Sequence, residues 1–205
     1  MGVQMAKRRP LTIQRTLPWL LIICAVIGLW ASFTLTIEHI NLLKDPNHQL
    51  NCDLNPILSC GPVMQSDTAT QFGFPNPIIG LVAFSAQAML GVMVLAGAKM
   101  KSWFWRLYGA IILAGLGFVF WLMYQSIFHI KAICIYCLIS WIVMFITAWY
   151  VFQFMLAEKH LKLGNSAFQT FVRKYHLELL VSWFLLLTAL ILYEFWYFFG
   201  PKLGF

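Results

Sequence analysis

The chain has 205 residues, 61% of them apolar and 10% charged, with a mean hydropathy of +0.78 and a net charge of +7. Soluble proteins run at about 45–50% apolar and about 25% charged. A water-soluble globule, a disordered chain and a soluble coiled coil are excluded; at about 20 residues per span, an integral membrane protein of four to six helices with short loops remains.

Five apolar runs follow in chain order, roughly 17–37, 77–98, 103–128, 132–156 and 177–199. Each can cross about 30 Å of hydrocarbon as a helix, which satisfies its own backbone groups in lipid. The fold class is all-α, one domain over 1–205. The first run has a basic flank, but it is long for a signal-peptide core and no small-x-small cleavage site follows clearly, so it reads as a retained span. Cys24 inside it reads as a small packing residue.

Lys and Arg set the orientation. Eleven of the fourteen fall at one end of the bundle when the connections are alternated; only Lys44, Lys131 and Lys202 fall at the other. The N-terminus is placed in the cytoplasm, and the connection 38–76 outside. This split accounts for the positive charge and leaves no basic patch for nucleic acid.

The loop 38–76 is the one large exposed element. Pro46, Pro56, Pro62 and Pro75 argue against a long helix through it. His39 and His48 read as solvated side chains in this loop, and His129 and Lys131 as interfacial anchors. Glu178 and Glu194 lie near opposite ends of the fifth run, where a carboxylate reaches water. The loop carries Cys52 and Cys60 as Cys-x7-Cys. Cys134 and Cys137 form Cys-x-x-Cys at the outer end of the fourth span. Nineteen residues, or about 28 Å of helix, separate Cys137 from that span's inner end. Cys134 is expected about one turn closer to water. All four thiols therefore fall on the outward side, the oxidising one in a bacterial envelope or the ER lumen.

Two cysteines at i, i+3 share a helix face and can close a disulfide, and a helix N-terminus activates a thiolate. Two such pairs in series can relay electrons by thiol–disulfide exchange. Four thiols also offer a zinc set, although Cys-x7-Cys is wide for a knuckle. Haem attachment needs His after Cys-x-x-Cys, where Leu138 stands. Two structural disulfides in a non-catalytic membrane protein are a third reading.

The loop sequence Cys52-Asp53-Leu54-Asn55-Pro56-Ile57-Leu58-Ser59-Cys60-Gly61-Pro62-Val63-Met64-Gln65-Ser66 resembles that of the vitamin K epoxide reductase family. Phe72-Gly73-Phe74-Pro75-Asn76-Pro77 is similar to its bacterial branch, and Cys134-Ile135-Tyr136-Cys137 to its active-site pair. The resemblance implies a four-helix bundle around a quinone, with the fifth span peripheral. It implies that Cys137 lies next to the quinone with Cys134 as its partner. Cys60 would exchange with Cys134, and Cys52 would meet an external redox partner. Asn76 and Ser66 match quinone-side polar residues. Trp141 stands where the animal enzymes carry a Tyr beside the quinone, and Met64 where they carry an aromatic residue.

The activity implied is that of a thiol:quinone oxidoreductase in the bacterial inner membrane, supporting disulfide formation, with a ubiquinone- or menaquinone-type acceptor and no metal. The chain ends at Phe205, without the thioredoxin-like domain that many bacterial members carry. A thioredoxin-fold partner similar to DsbA is therefore expected in trans. The same relay run on a quinone epoxide is the alternative activity.

Overall fold

The computed structural model describes residues 13–46, 48–161, 166–196 and 198. The basic residues Lys7, Arg8, Arg9, Lys162 and Lys202, and the end of the fifth run at Phe199, lie outside them. The chain begins with α1 (Ile13–Lys44), followed by the outer loop with its short helix α2 (Gly61–Met64) and a tight turn at Asp67–Thr70. Then come α3 (Pro77–Leu95), α4 (Ser102–Tyr124), which widens into a π turn at Gln125–Ile130, and α5 (Ile135–Ala157). The amphipathic α6 (Ser166–Lys174) leads into α7 (His176–Glu194). Five of these helices are long and apolar enough to cross a membrane, and no strand occurs among the described residues. The protein is an all-α membrane protein.

Helices α1 and α5 link the bundle. Helix α1 packs along α3 and α5, and α4 packs against α5. Glycine lets α1 and α3 approach closely, as small residues do between membrane helices. A methyl group at Gly91 would lie 2.7 Å from Ile22 Cγ1 and 3.1 Å from the Pro18 carbonyl oxygen. On α1 itself, a methyl at Gly28 would meet the Phe84 ring at 2.6 Å. Pro18 lies in the second turn of α1, where it leaves the Gln14 carbonyl without its intrahelical donor.

One buried amide joins three spans. Gln87 of α3 donates from Nε2 to the Leu21 carbonyl of α1 at 3.1 Å and to Thr147 Oγ1 of α5 at 3.2 Å. A polar group in hydrocarbon needs such partners, and here both neighbours supply one. At the end away from the cysteines the contacts are aromatic. Trp105 meets Phe154 at 4.5 Å between ring centroids and stacks on His160 at 6.3 Å.

Helix α7 buries none of its residues, and an apolar gap of about 860 Å³ lies between it, α4 and α5. Its outer end is different. Phe195, just past the helix, is 0% exposed and packs with Ile57, Ile127 and Ile133, and Lys131 pairs with Glu194. The fifth span is peripheral along its length but anchored beside the cysteine loops.

Two sequence expectations are corrected. The loop does not begin at residue 38, because α1 runs on to Lys44. His39 is accordingly a helical residue, 5% exposed, and not a solvated loop side chain. The physical reason is that the loop folds back over this last turn and satisfies Glu38, which accepts from Asn51 Nδ2 at 2.8 Å and whose other oxygen lies 3.1 Å from His48 Nε2. The fourth span likewise begins at Ile135, not 132, since Ala132 and Ile133 are drawn away into the loop.

Candidate active site

The outer loop is built around two carboxamide and carboxylate turns. Asn55 Oδ1 accepts from the backbone N–H groups of Ile57 at 3.0 Å and Leu58 at 2.8 Å, closing a tight turn after Pro56. Asp53 Oδ1 accepts from Ser59 Oγ at 2.7 Å, Cys60 N at 2.7 Å and Gly61 N at 3.1 Å. A single carboxylate oxygen therefore fixes the backbone at Cys60 and the first residue of α2.

The two cysteine segments are then joined backbone to backbone. Leu58 and Ile133 form an isolated parallel bridge. Ile133 N donates to the Ile57 carbonyl at 2.7 Å and Ser59 N to the Ile133 carbonyl at 3.1 Å. Cys60 and Cys134 each follow this bridge by one or two residues, so the bridge sets their separation. Their sulfurs lie 2.9 Å apart. Cys52 and Cys60 form a disulfide with Cα atoms 5.7 Å apart, while Cys134 and Cys137 are thiols.

Cys134 caps α5 with an extended backbone, and Cys137 sits one turn along. Cys134 is 0% exposed, which corrects the expectation that it stands out toward water: the loop covers it. Its thiol is held below its ordinary value. The hydrogen bond with Cys137 is the main cause, helped by the backbone N–H groups of Cys137 and Tyr136 in the first turn of α5; burial and the Asp53 charge push the other way. A thiol so placed favours the nucleophilic thiolate. Cys52 is 2% exposed, so the loop disulfide is sealed in this arrangement.

The sulfurs of Cys52, Cys60 and Cys134 lie within 4.8 Å of one another. Two of them are spent in a disulfide, and metals take thiolates. The trio therefore suits exchange chemistry better than metal ligation.

Half-buried Cys137 lines a cavity of about 200 Å³ between the spans. Asn76, Met64 and Trp141 line it too; Ser66 does not. Ser66 Oγ instead donates to the Val63 carbonyl at 2.6 Å and lies 2.7 Å from Thr68 Oγ1. Asn76 Nδ2 donates to the Thr68 carbonyl at 2.6 Å, which leaves Asn76 Oδ1 buried without a hydrogen-bond partner among the described residues. A flat apolar ring with polar oxygens fits this space: the walls are apolar, the orphaned oxygen matches a ring hydroxyl, and a thiol stands at one side.

Asp53, which follows the first loop cysteine as in the family the loop resembles, holds Cys60. Three further residues were not foreseen at the site: His39 and Thr68 line the cavity, and Phe195 braces the bridge. Only His39 had a visible signal: Ser32, Leu35 and His39 recur at helical spacing, and all three line the cavity.

Five spans, a disulfide within sulfur-contact distance of a thiol, and a second thiol opening onto an apolar cavity define a membrane oxidoreductase that works through cysteines. A comparison with known families matches residues 19–152 to the Vitamin K epoxide reductase family, and the chain belongs to it.

Proposed function

We propose that the protein carries electrons from a thioredoxin-fold partner to a membrane quinone, and so supports disulfide formation. The observation that carries this reading is the 2.9 Å contact between Cys60 and Cys134, with Cys137 one turn further on at the cavity wall. A partner dithiol attacks the Cys52–Cys60 disulfide at Cys52 and leaves oxidised, so the loop pair becomes two thiols. Cys60 then attacks Cys134 of an oxidised Cys134–Cys137 pair and releases the Cys137 thiolate. Cys52 closes on Cys60 and frees Cys134. The arrangement described above, loop pair oxidised and helix pair reduced, matches the end of that sequence.

A bound quinone supplies the sink, taking two electrons and two protons. The chain does the positioning. Asn76 and Trp141 shape the cavity, the first turn of α5 favours the Cys134 thiolate, and the covering loop keeps water from the sulfurs. Sealing of Cys52 means that a partner gains access only when residues 48–51 lift from Glu38.

We place the cysteine end outside the bacterial inner membrane. The basic residues Arg15, Lys99, Lys101, Arg106, Lys159, Arg173 and Lys174 fall at the opposite end by helix alternation, in keeping with positive-inside bias. No nucleic-acid role is compatible with that split.

The test uses purified protein, a DsbA-like dithiol or a small permeant dithiol as donor, and a ubiquinone analogue followed by its absorbance. Cys137→Ala abolishes quinone reduction with both donors. Cys52→Ser abolishes it with the protein donor and leaves part of it with the small one. Unchanged turnover in Cys137→Ala overturns the reading, and equal loss with both donors in Cys52→Ser overturns the assigned order.

A further inference from the structure

Among the described residues that line the cavity, two carry a group that titrates: Cys137 of α5 and His39 of α1. The lining residues from α3, α4 and the loop contribute apolar, hydroxyl and amide groups. His39 is 95% buried by its 5% exposure, and its ring makes no hydrogen bond with any described residue. Its ring nitrogens are not among the sealed, unpartnered atoms of the described residues, so the little surface they keep opens on the cavity that His39 lines. Glu38 precedes it, but neighbouring positions on a helix face different ways, and the Glu38 carboxylate is engaged by Asn51 and His48 of the loop. His39 is therefore free to face the cavity.

We propose that His39 is the proton carrier of this site, taking the thiol proton of Cys137 and passing it to an oxygen of the ring held in the cavity. The inference rests on the quinone reading above. The balance is closed: the Cys134 and Cys137 thiols become a disulfide with loss of two electrons and two protons, and the ring oxygens gain two protons, one carried from Cys137 by His39 and one, equal to that shed by Cys134, taken up from water. His39 accepts one proton and gives it up, returning to its starting form. The need for such a group is physical. The walls are apolar, so a charge left on sulfur or on the ring is poorly solvated, and a proton must move nearly in step with the electrons.

Two measurements test it. The first needs no quinone. In a Cys134→Ser chain, Cys137 alkylation is followed against pH, with peptide mass spectrometry identifying the site. A carrier coupled to Cys137 adds a second inflection to the curve, and that inflection disappears when His39→Gln is added to Cys134→Ser. The second is quinone reduction with a small dithiol donor, which falls about 100-fold in His39→Gln, as loss of a proton-transfer group does. Trapping of the Cys60–Cys134 mixed disulfide in a Cys137→Ala chain stays within twofold when His39→Gln is added, which separates proton transfer from misfolding.

An alkylation curve without the inflection in the histidine-bearing chain overturns the proposal, and so does a His39→Gln enzyme at full rate. If the unsubstituted protein reduces no quinone, the quinone reading falls instead, and the alkylation curve still decides whether His39 and Cys137 exchange a proton.

Discussion

The two ends of the bundle are held by different forces. At the cysteine end, directional bonds dominate: three donors on one Asp53 oxygen, two on Asn55, two on Glu38, and a backbone bridge between Leu58 and Ile133. At the other end, Leu17, Leu21, Trp105, Val151, Phe154 and Met155 form an apolar cluster, and the side-chain hydrogen bonds around it, such as Gln14 to Glu158 and Gln153 to the Val172 carbonyl, are scattered singly. Apolar packing depends on area and shape and tolerates small shifts. Hydrogen bonds fix distances and can be exchanged singly. A relay needs sulfurs placed closely and a loop that opens, and the polar end supplies both.

Breaking the polar end has the largest expected effect. Asp53→Ala removes the acceptor for Ser59, Cys60 and Gly61 together. A displacement of about 1 Å at a reacting atom costs about 100-fold, so the rate of Cys60–Cys134 exchange, followed by quenched mixed-disulfide trapping, drops by that order. Asp53→Asn keeps the acceptor oxygen and recovers part of it.

Substitution at the α1–α3 contact is next and acts on stability, not on rate. Gly91→Leu forces a side chain against Ile22 and the Pro18 carbonyl, and overpacking of this kind costs about 1–3 kcal/mol. Thermal unfolding in detergent reads it, while the per-molecule exchange rate of the folded fraction stays unchanged.

A subtler test concerns Cys134. Cys137→Ala removes the main influence holding its thiol low, so its midpoint rises. Below that midpoint the thiolate fraction shrinks and alkylation slows; well above it the rates of the two chains converge. An unchanged alkylation midpoint for Cys134 contradicts the assigned cause. The smallest effect belongs to Lys131→Gln. The Lys131–Glu194 pair is solvent-exposed on the lysine side, and such pairs contribute about 0.2–1 kcal/mol, less at high salt. A larger change in unfolding would show that this pair, and not Phe195, anchors α7.

Much of this was legible in the residues. Five long apolar runs announced five spans, because a membrane demands length and apolarity and little else. The grouping of Cys52, Cys60, Cys134 and Cys137 at one end followed from counting turns. Helix ends were not legible: Glu38 and His39 look like loop residues until the loop is folded over them. The Leu58–Ile133 bridge has no sequence signature, since a single backbone pairing imposes no side-chain pattern. Ser66 and Thr68 are both small hydroxyl residues two positions apart, and only the turn between them decides that Thr68 faces the cavity.

Gln87 has a consequence for biosynthesis. Its span leaves the ribosome some sixty residues before Thr147, so for that interval the amide has a partner on α1 but none on α5. Assembly of the bundle is complete, as far as this group is concerned, only when the later span arrives and docks. A nascent chain arrested before residue 147 should therefore hold α1 and α3 together with this amide only half satisfied, and be a better substrate for membrane quality-control proteases than one arrested after α5 has docked.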